Sequence, residues 1–70
     1  KMTHRYREGQ KVIITGNKNG HYHEIGEVVT LTSAYQCVRP EGRTYWQLAT
    51  EWFFTDSDCK PFEEETINED

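Results

Sequence analysis

Lys11-Val12-Ile13-Ile14-Thr15-Gly16-Asn17-Lys18-Asn19-Gly20 and Gly26-Glu27-Val28-Val29-Thr30-Leu31-Thr32-Ser33 set two β-branched runs on either side of a polar, glycine-bounded segment. β-Branched side chains lose rotamer freedom in a helix and pack well on a pleated surface, so residues 11–15 and 27–33 are predicted strands. The stretch from Gly16 to Gly20 ends the first, because Gly and Asn tolerate positive φ. His21 to Ile25 continues as a polar loop, and Gly26 permits a tight turn into the second run. Working outward, residues 35–39 alternate as a third strand, and Pro40-Glu41-Gly42 supplies turn chemistry. Residues 44–48 form a fourth strand, whose period of two puts Trp46 and Leu48 on one face and Tyr45 and Gln47 on the other. Residues 49–53 predict one helical turn with Thr50 as its cap. Phe54-Thr55 and the stretch through Lys60-Pro61-Phe62 predict a short fifth strand, held to an edge or an end by Pro61. The prediction is all-β.

Seventy residues make one small domain, since a second core could not close in what remains. No apolar run approaches the roughly 18 residues of a membrane span. Aromatics at 13% in a chain only 34% hydrophobic point to a core built on a few large side chains rather than to disorder. The net charge of -4 is unevenly spread: Lys1, Arg5, Arg7 and Lys11 against Glu8 make residues 1–11 basic, whereas acids are concentrated from Glu51 onward, chiefly Glu63-Glu64-Glu65, Glu69 and Asp70. This divides the chain into an N-terminal arm (1–8), a β domain (9–62) and an acidic tail (63–70). The tail is expected to be solvated and to screen the basic start from anionic partners. Without the apolar core of a signal peptide, a cytoplasmic chain with free thiols is expected.

Chemistry-bearing patterns are sparse. No spacing marks a nucleophile with its base, so no enzymatic activity and no cofactor are expected. His21-x-His23 in an extended segment would present both rings to one side and, with Cys37 and Cys59, would offer a Cys₂His₂ set as an alternative. The two cysteines lie far apart and lack the Cys-x-x-Cys knuckle, so the expectation is no metal and loop histidines open to water. Cys59 follows the polar cluster Asp56-Ser57-Asp58 and is expected to be the more exposed thiol, the aspartates forming a solvated turn. Trp46, Phe54 and one of Trp52 or Phe53 are the expected core aromatics. Tyr6, Tyr22, Tyr45 and the remaining aromatic of that pair, taken as Trp52, are the candidates for a partner-binding patch.

The order of strand, long loop, Gly-Glu turn, strand, strand, hairpin, strand, helical turn and strand resembles an SH3-like small barrel over residues 9–62. It rests on Val12, Ile14, the loop from Gly16 to Ile25, the segment Ile25-Gly26-Glu27-Val28-Val29, the turn Pro40-Glu41-Gly42, and Tyr45-Trp46. The resemblance implies a five-stranded barrel with one short helical turn. It also implies that Tyr45 takes the place of a ligand-binding aromatic, with Tyr22 or Tyr6 on the facing wall. The loop departs from proline-peptide binders in being nearly neutral, with Glu24 set against Lys18, and the Pro-x-x-Tyr that finishes their groove is missing. Gly9-x-x-Val12-x-Ile14-x-Gly16-x-x-x-Gly20 with Gly26-x-Val28-x-x-Leu31 also looks like the KOW motif of transcription and ribosomal proteins, with a longer gap from Gly20 to Gly26. The Asn-Gly-His-x-x-Glu-Ile-Gly-Glu run followed by Trp-x-Leu-x-x-x-Trp-Phe is similar to small phage-encoded proteins of this barrel type. Together the resemblances imply a non-catalytic module that binds a protein partner as a regulator or inhibitor, in the host cytoplasm if phage-encoded, with neither a membrane nor a small-molecule substrate. The KOW-like alternative implies nucleic-acid binding through Arg5, Arg7, Lys11, Lys18, Arg39 and Arg43.

Overall fold

The computed structural model of the chain describes residues 5–63. Its elements are β1 (Lys11–Ile14), β2 (Val28–Thr30), β3 (Ser33–Val38), β4 (Thr44–Ala49), β5 (Phe53–Thr55), a 3₁₀ turn (Asp56–Asp58) and β6 (Cys59–Pro61). All strand pairings are antiparallel, and they form two three-stranded sheets, β2-β1-β6 and β3-β4-β5. The all-β expectation holds. Six strands replace the predicted five, and among the described residues neither sheet closes on itself.

The differences lie at the strand ends. The long second run divides at Leu31 and Thr32, where the chain changes sheets. The Leu31 N–H donates to the carbonyl of Gln10, whereas the Thr32 N–H donates to that of Ala49. One continuous β-branched stretch thus serves both layers, with Leu31 buried at the bend. The predicted helical turn over 49–53 is not formed. Ala49 still belongs to β4, and the chain bends at residues 50–52, where the Thr50 N–H donates to the carbonyl of Trp52 at 2.8 Å. The 3₁₀ turn comes later and splits the predicted fifth strand into β5 and β6. Pro61 ends β6, an edge strand, where its missing N–H disturbs no neighbour. Gly26 (φ +96°) and Gly42 (φ +98°) occupy the left-handed region their turns require; the Gly42 N–H closes the β3–β4 hairpin onto the carbonyl of Arg39.

The core gathers Tyr6, Val12, Ile14, Leu31, Leu48, Phe54 and Cys59, with Val29, Ala34 and Trp46 packed against it. Leu48 and Trp46 face inward from β4 as the alternation predicts. Two expectations are corrected here. Tyr6 is not on the surface; its ring meets Trp46 edge to face at 5.9 Å, because a core with so few apolar side chains recruits an aromatic from ahead of β1. Cys59 is the buried thiol, whereas Cys37 is half-buried, since β6 turns Cys59 toward the core beside Ile14 of β1.

Burial, reinforced by the negative charge of Asp56, pushes the Cys59 thiol up to about 12. Burial, with Cys59 and Asp56 nearby, also raises the Tyr6 hydroxyl. Both groups stay protonated in the folded chain above the pH at which they ionise once unfolded, so the Cys59 contribution is present below about pH 9 and is lost as pH rises toward 12, the Tyr6 contribution following at higher pH. The expected result is a melting temperature that falls steadily above about pH 9 and falls less in Cys59→Ala when each is compared with its own neutral-pH value. An equal alkaline loss in Cys59→Ala would show that the buried thiol is not a source of it.

Candidate functional site

The loop between β1 and β2 (residues 15–27) is long and polar, and its first residues need acceptors outside the strand ladders. Asp58 provides them. Its carbonyl accepts the N–H groups of Thr15 (2.8 Å) and Gly16 (3.2 Å), while its side chain accepts those of Lys18 (2.9 Å) and Asn19 (3.4 Å). The Asp58 side chain is wholly buried, contrary to the solvated turn its neighbours Asp56 and Ser57 predict. The 3₁₀ turn aims it inward under the loop.

His21 forms the second anchor and is also buried, which corrects the expectation of a water-exposed ring. Its Nε2 lies 2.7 Å from the carbonyl of Gly16 and must donate there, and its Nδ1 accepts the His23 N–H at 3.2 Å, so the proton sits on Nε2. Nε2 is 3.9 Å from Asp58 Oδ2. His23 is half-buried: Nε2 is 2.6 Å from Thr50 Oγ1 and Nδ1 is 3.4 Å from Glu27 Oε2. The Glu24 N–H bonded to the Glu27 carboxyl, with His23 beside it, holds Glu27 below the usual carboxylate range. Both imidazoles lean on Phe54, with ring centroids at 5.6 and 5.8 Å. Their nitrogens are therefore engaged in holding the loop. Among the described residues no group of three or more His, Cys, Asp or Glu side chains is placed to hold a metal, so the alternative set His21, His23, Cys37 and Cys59 does not assemble.

Fastened in this way, the loop forms one wall of an open groove of about 430 Å³. Asn19 and Gly20 line the loop side, with Asn19 Nδ2 donating to Thr55 Oγ1 across the gap. Tyr45 and Gln47, the outward pair of β4, line the groove together with Trp52, Phe53 and Arg39. The backbone at Trp52 is fixed by its main-chain N–H, which donates to Thr50 Oγ1 at 3.2 Å, the same hydroxyl that meets His23. Tyr22 stacks on Trp52 with centroids 4.1 Å apart and planes 28° from parallel, and is itself 79% exposed. Phe53 is 70% exposed, so neither member of the Trp52-Phe53 pair enters the core, as one was expected to. β5 turns Phe54 inward, and Phe53 must face outward on the alternate position.

Of the four partner-binding candidates, Tyr22, Tyr45 and Trp52 come together at this groove, and Tyr6 does not. The six basic candidates are all exposed but come from separate places: Arg5 and Arg7 precede β1, Lys11 opens it, Lys18 is on the loop, and Arg39 and Arg43 flank the hairpin turn. Of these only Arg39 lines the groove, its guanidinium 4.3 Å from the centre of the Tyr45 ring; Arg43 is paired with Glu41 at 3.3 Å. The acidic run beyond Glu63 lies outside the described residues. Gln47 and Asn19 are groove residues the sequence did not single out, and Phe53 stood there only as the alternative to Trp52. The Tyr45–Gln47 alternation was a signal for Gln47, and nothing local marked Asn19.

Compared with protein-family models, curated proteins and solved structures, the chain matches none. Among the described residues no helix is long and apolar enough to cross a membrane.

Proposed function

We propose that this chain is a non-catalytic binding module of the SH3-like small-barrel type, which holds a protein partner in the aromatic groove and regulates or inhibits it by doing so. The split of one long run between two sheets and the 3₁₀ turn ahead of the last strand support the fold reading. The observation that carries the function is the Tyr22–Trp52 stack beside Tyr45 and Phe53. Of the large aromatics that so small a core leaves outside it, four gather along one concavity, an exposed apolar patch of the kind that marks an interaction surface. The histidines are occupied in fastening the loop, which leaves an adhesive surface as the better use of this face than a reactive one.

Trp52→Ala tests this. Trp52 is outside the core, so the fold should survive, as circular dichroism would verify. A protein retained stoichiometrically by the immobilised full chain should bind the variant at least about tenfold more weakly, the loss typical of a central interface aromatic. Equal retention by the variant would remove the groove from the interface.

A further inference from the structure

The groove has a charge as well as a shape. Arg39 is its one cationic lining residue, and none of its lining residues is Asp or Glu. Among the described residues no carboxylate pairs with Arg39, whereas Arg43, four residues on, is taken by Glu41. Lying over Tyr45, the guanidinium is attracted to the ring face and keeps its N–H edges for hydrogen bonding, the geometry with which arginine takes carboxylates. Beside it are the exposed faces of Trp52 and Phe53 and the amide of Gln47. A ligand completing this surface carries an anionic group for Arg39 and an apolar side chain for the aromatics.

Accepting the protein-binding reading above, we infer that the groove recognises a short acidic segment of the partner, an Asp or Glu next to an aromatic or large aliphatic residue. This is opposite in charge to a ligand that would need an acidic loop. A nucleic-acid strand fits less well. Its backbone needs a track of cations, and the groove offers one.

The test selects from a display library of random linear peptides on the immobilised full chain, then titrates the selected peptides against wild type, Trp52→Ala, Arg39→Gln and Arg39→Glu. Selected sequences should be rich in Asp or Glu beside an apolar residue. Their affinity should fall roughly fivefold in Arg39→Gln, as expected for a solvent-exposed ion pair, and further in Arg39→Glu. A selection with no Trp52-dependent peptides would overturn the proposed function together with this inference. Trp52-dependent peptides that are basic or neutral, or indifferent to Arg39, overturn the inference alone. Trp52-dependent binding of single-stranded oligothymidylate, tighter than any selected peptide and weakening with salt, would also overturn it and assign the groove to nucleic acid.

Discussion

Asp58→Ala is expected to cost about 3 kcal/mol of folding stability, which leaves the fold a margin of at most about 2 kcal/mol at room temperature. The side chain is completely buried and accepts two loop N–H groups, those of Lys18 and Asn19, which lie 40 and 39 positions away in sequence. Alanine would take a wholly buried acceptor from two half-buried hydrogen bonds, and a donor stranded away from water costs roughly 1–3 kcal/mol. The shorter bond, at 2.9 Å, carries most of this; the longer one, at 3.4 Å, adds less. A domain of this size has a margin of only about 3–5 kcal/mol, so the loss consumes most of it. Asp58→Asn should be milder, because an amide oxygen can still accept from Lys18 while its NH₂ cannot accept from Asn19. Urea denaturation followed by tryptophan fluorescence gives the three stabilities directly. A loss under about 1 kcal/mol in Asp58→Ala would mean that water replaces the carboxyl in the loop, and that the loop is not fastened as described.

Phe54→Ala should be of similar size, about 3–4 kcal/mol, for a different reason. Phe54 is 2% exposed, pairs with Leu48 across β4 and β5, and supports both loop histidines on its ring. Alanine removes the contacts of a large aromatic and opens a cavity between the sheet and the loop, which close-packed neighbours fill only in part. Phe54→Leu, keeping most of the volume, should lose markedly less. The loop contact is separable from the core contact by a double-mutant cycle with His21→Ala, in which the two losses should fail to add, since both remove the same packing. Strict additivity would show that the histidine ring gains nothing from Phe54. Hydrogen exchange at Lys18 and Asn19 supplies a second readout: in Phe54→Leu these amides should exchange faster than in wild type if the ring supports the loop.

These two residues show how far a sequence of this kind can be read. The strands were legible because β-branched runs and glycine-rich breaks act locally, through rotamer entropy and allowed φ. The two faces of β4 were legible for the same reason: a period of two needs no partner to be recognised, and it placed Leu48 inside and Tyr45 and Gln47 outside. At Trp52-Phe53-Phe54 Phe54 is inside as expected, but three consecutive aromatics carry no alternation of polarity, and only the register of β5 against β4 decides that neither Trp52 nor Phe53 joins it. The helical turn was misplaced for a related reason. Thr50 has the side chain of a cap, but its hydroxyl serves the bend at Trp52 and the ring of His23.

Sequence by itself determined that this is an all-β chain, where its main loop and its β3–β4 turn lie, and that its aromatics outnumber what its small core would use. Tertiary structure decided which polar residues are buried. Asp58 and His21 look like surface residues by type, since burying either costs free energy unless every polar atom finds a partner. Those partners are largely backbone N–H and C=O groups of residues 15–23, and for Asp58 they come from the far end of the chain. Backbone donors and acceptors are the same for nearly every residue type, so no side-chain pattern announces which loop will need an acceptor or which distant aspartate will supply it.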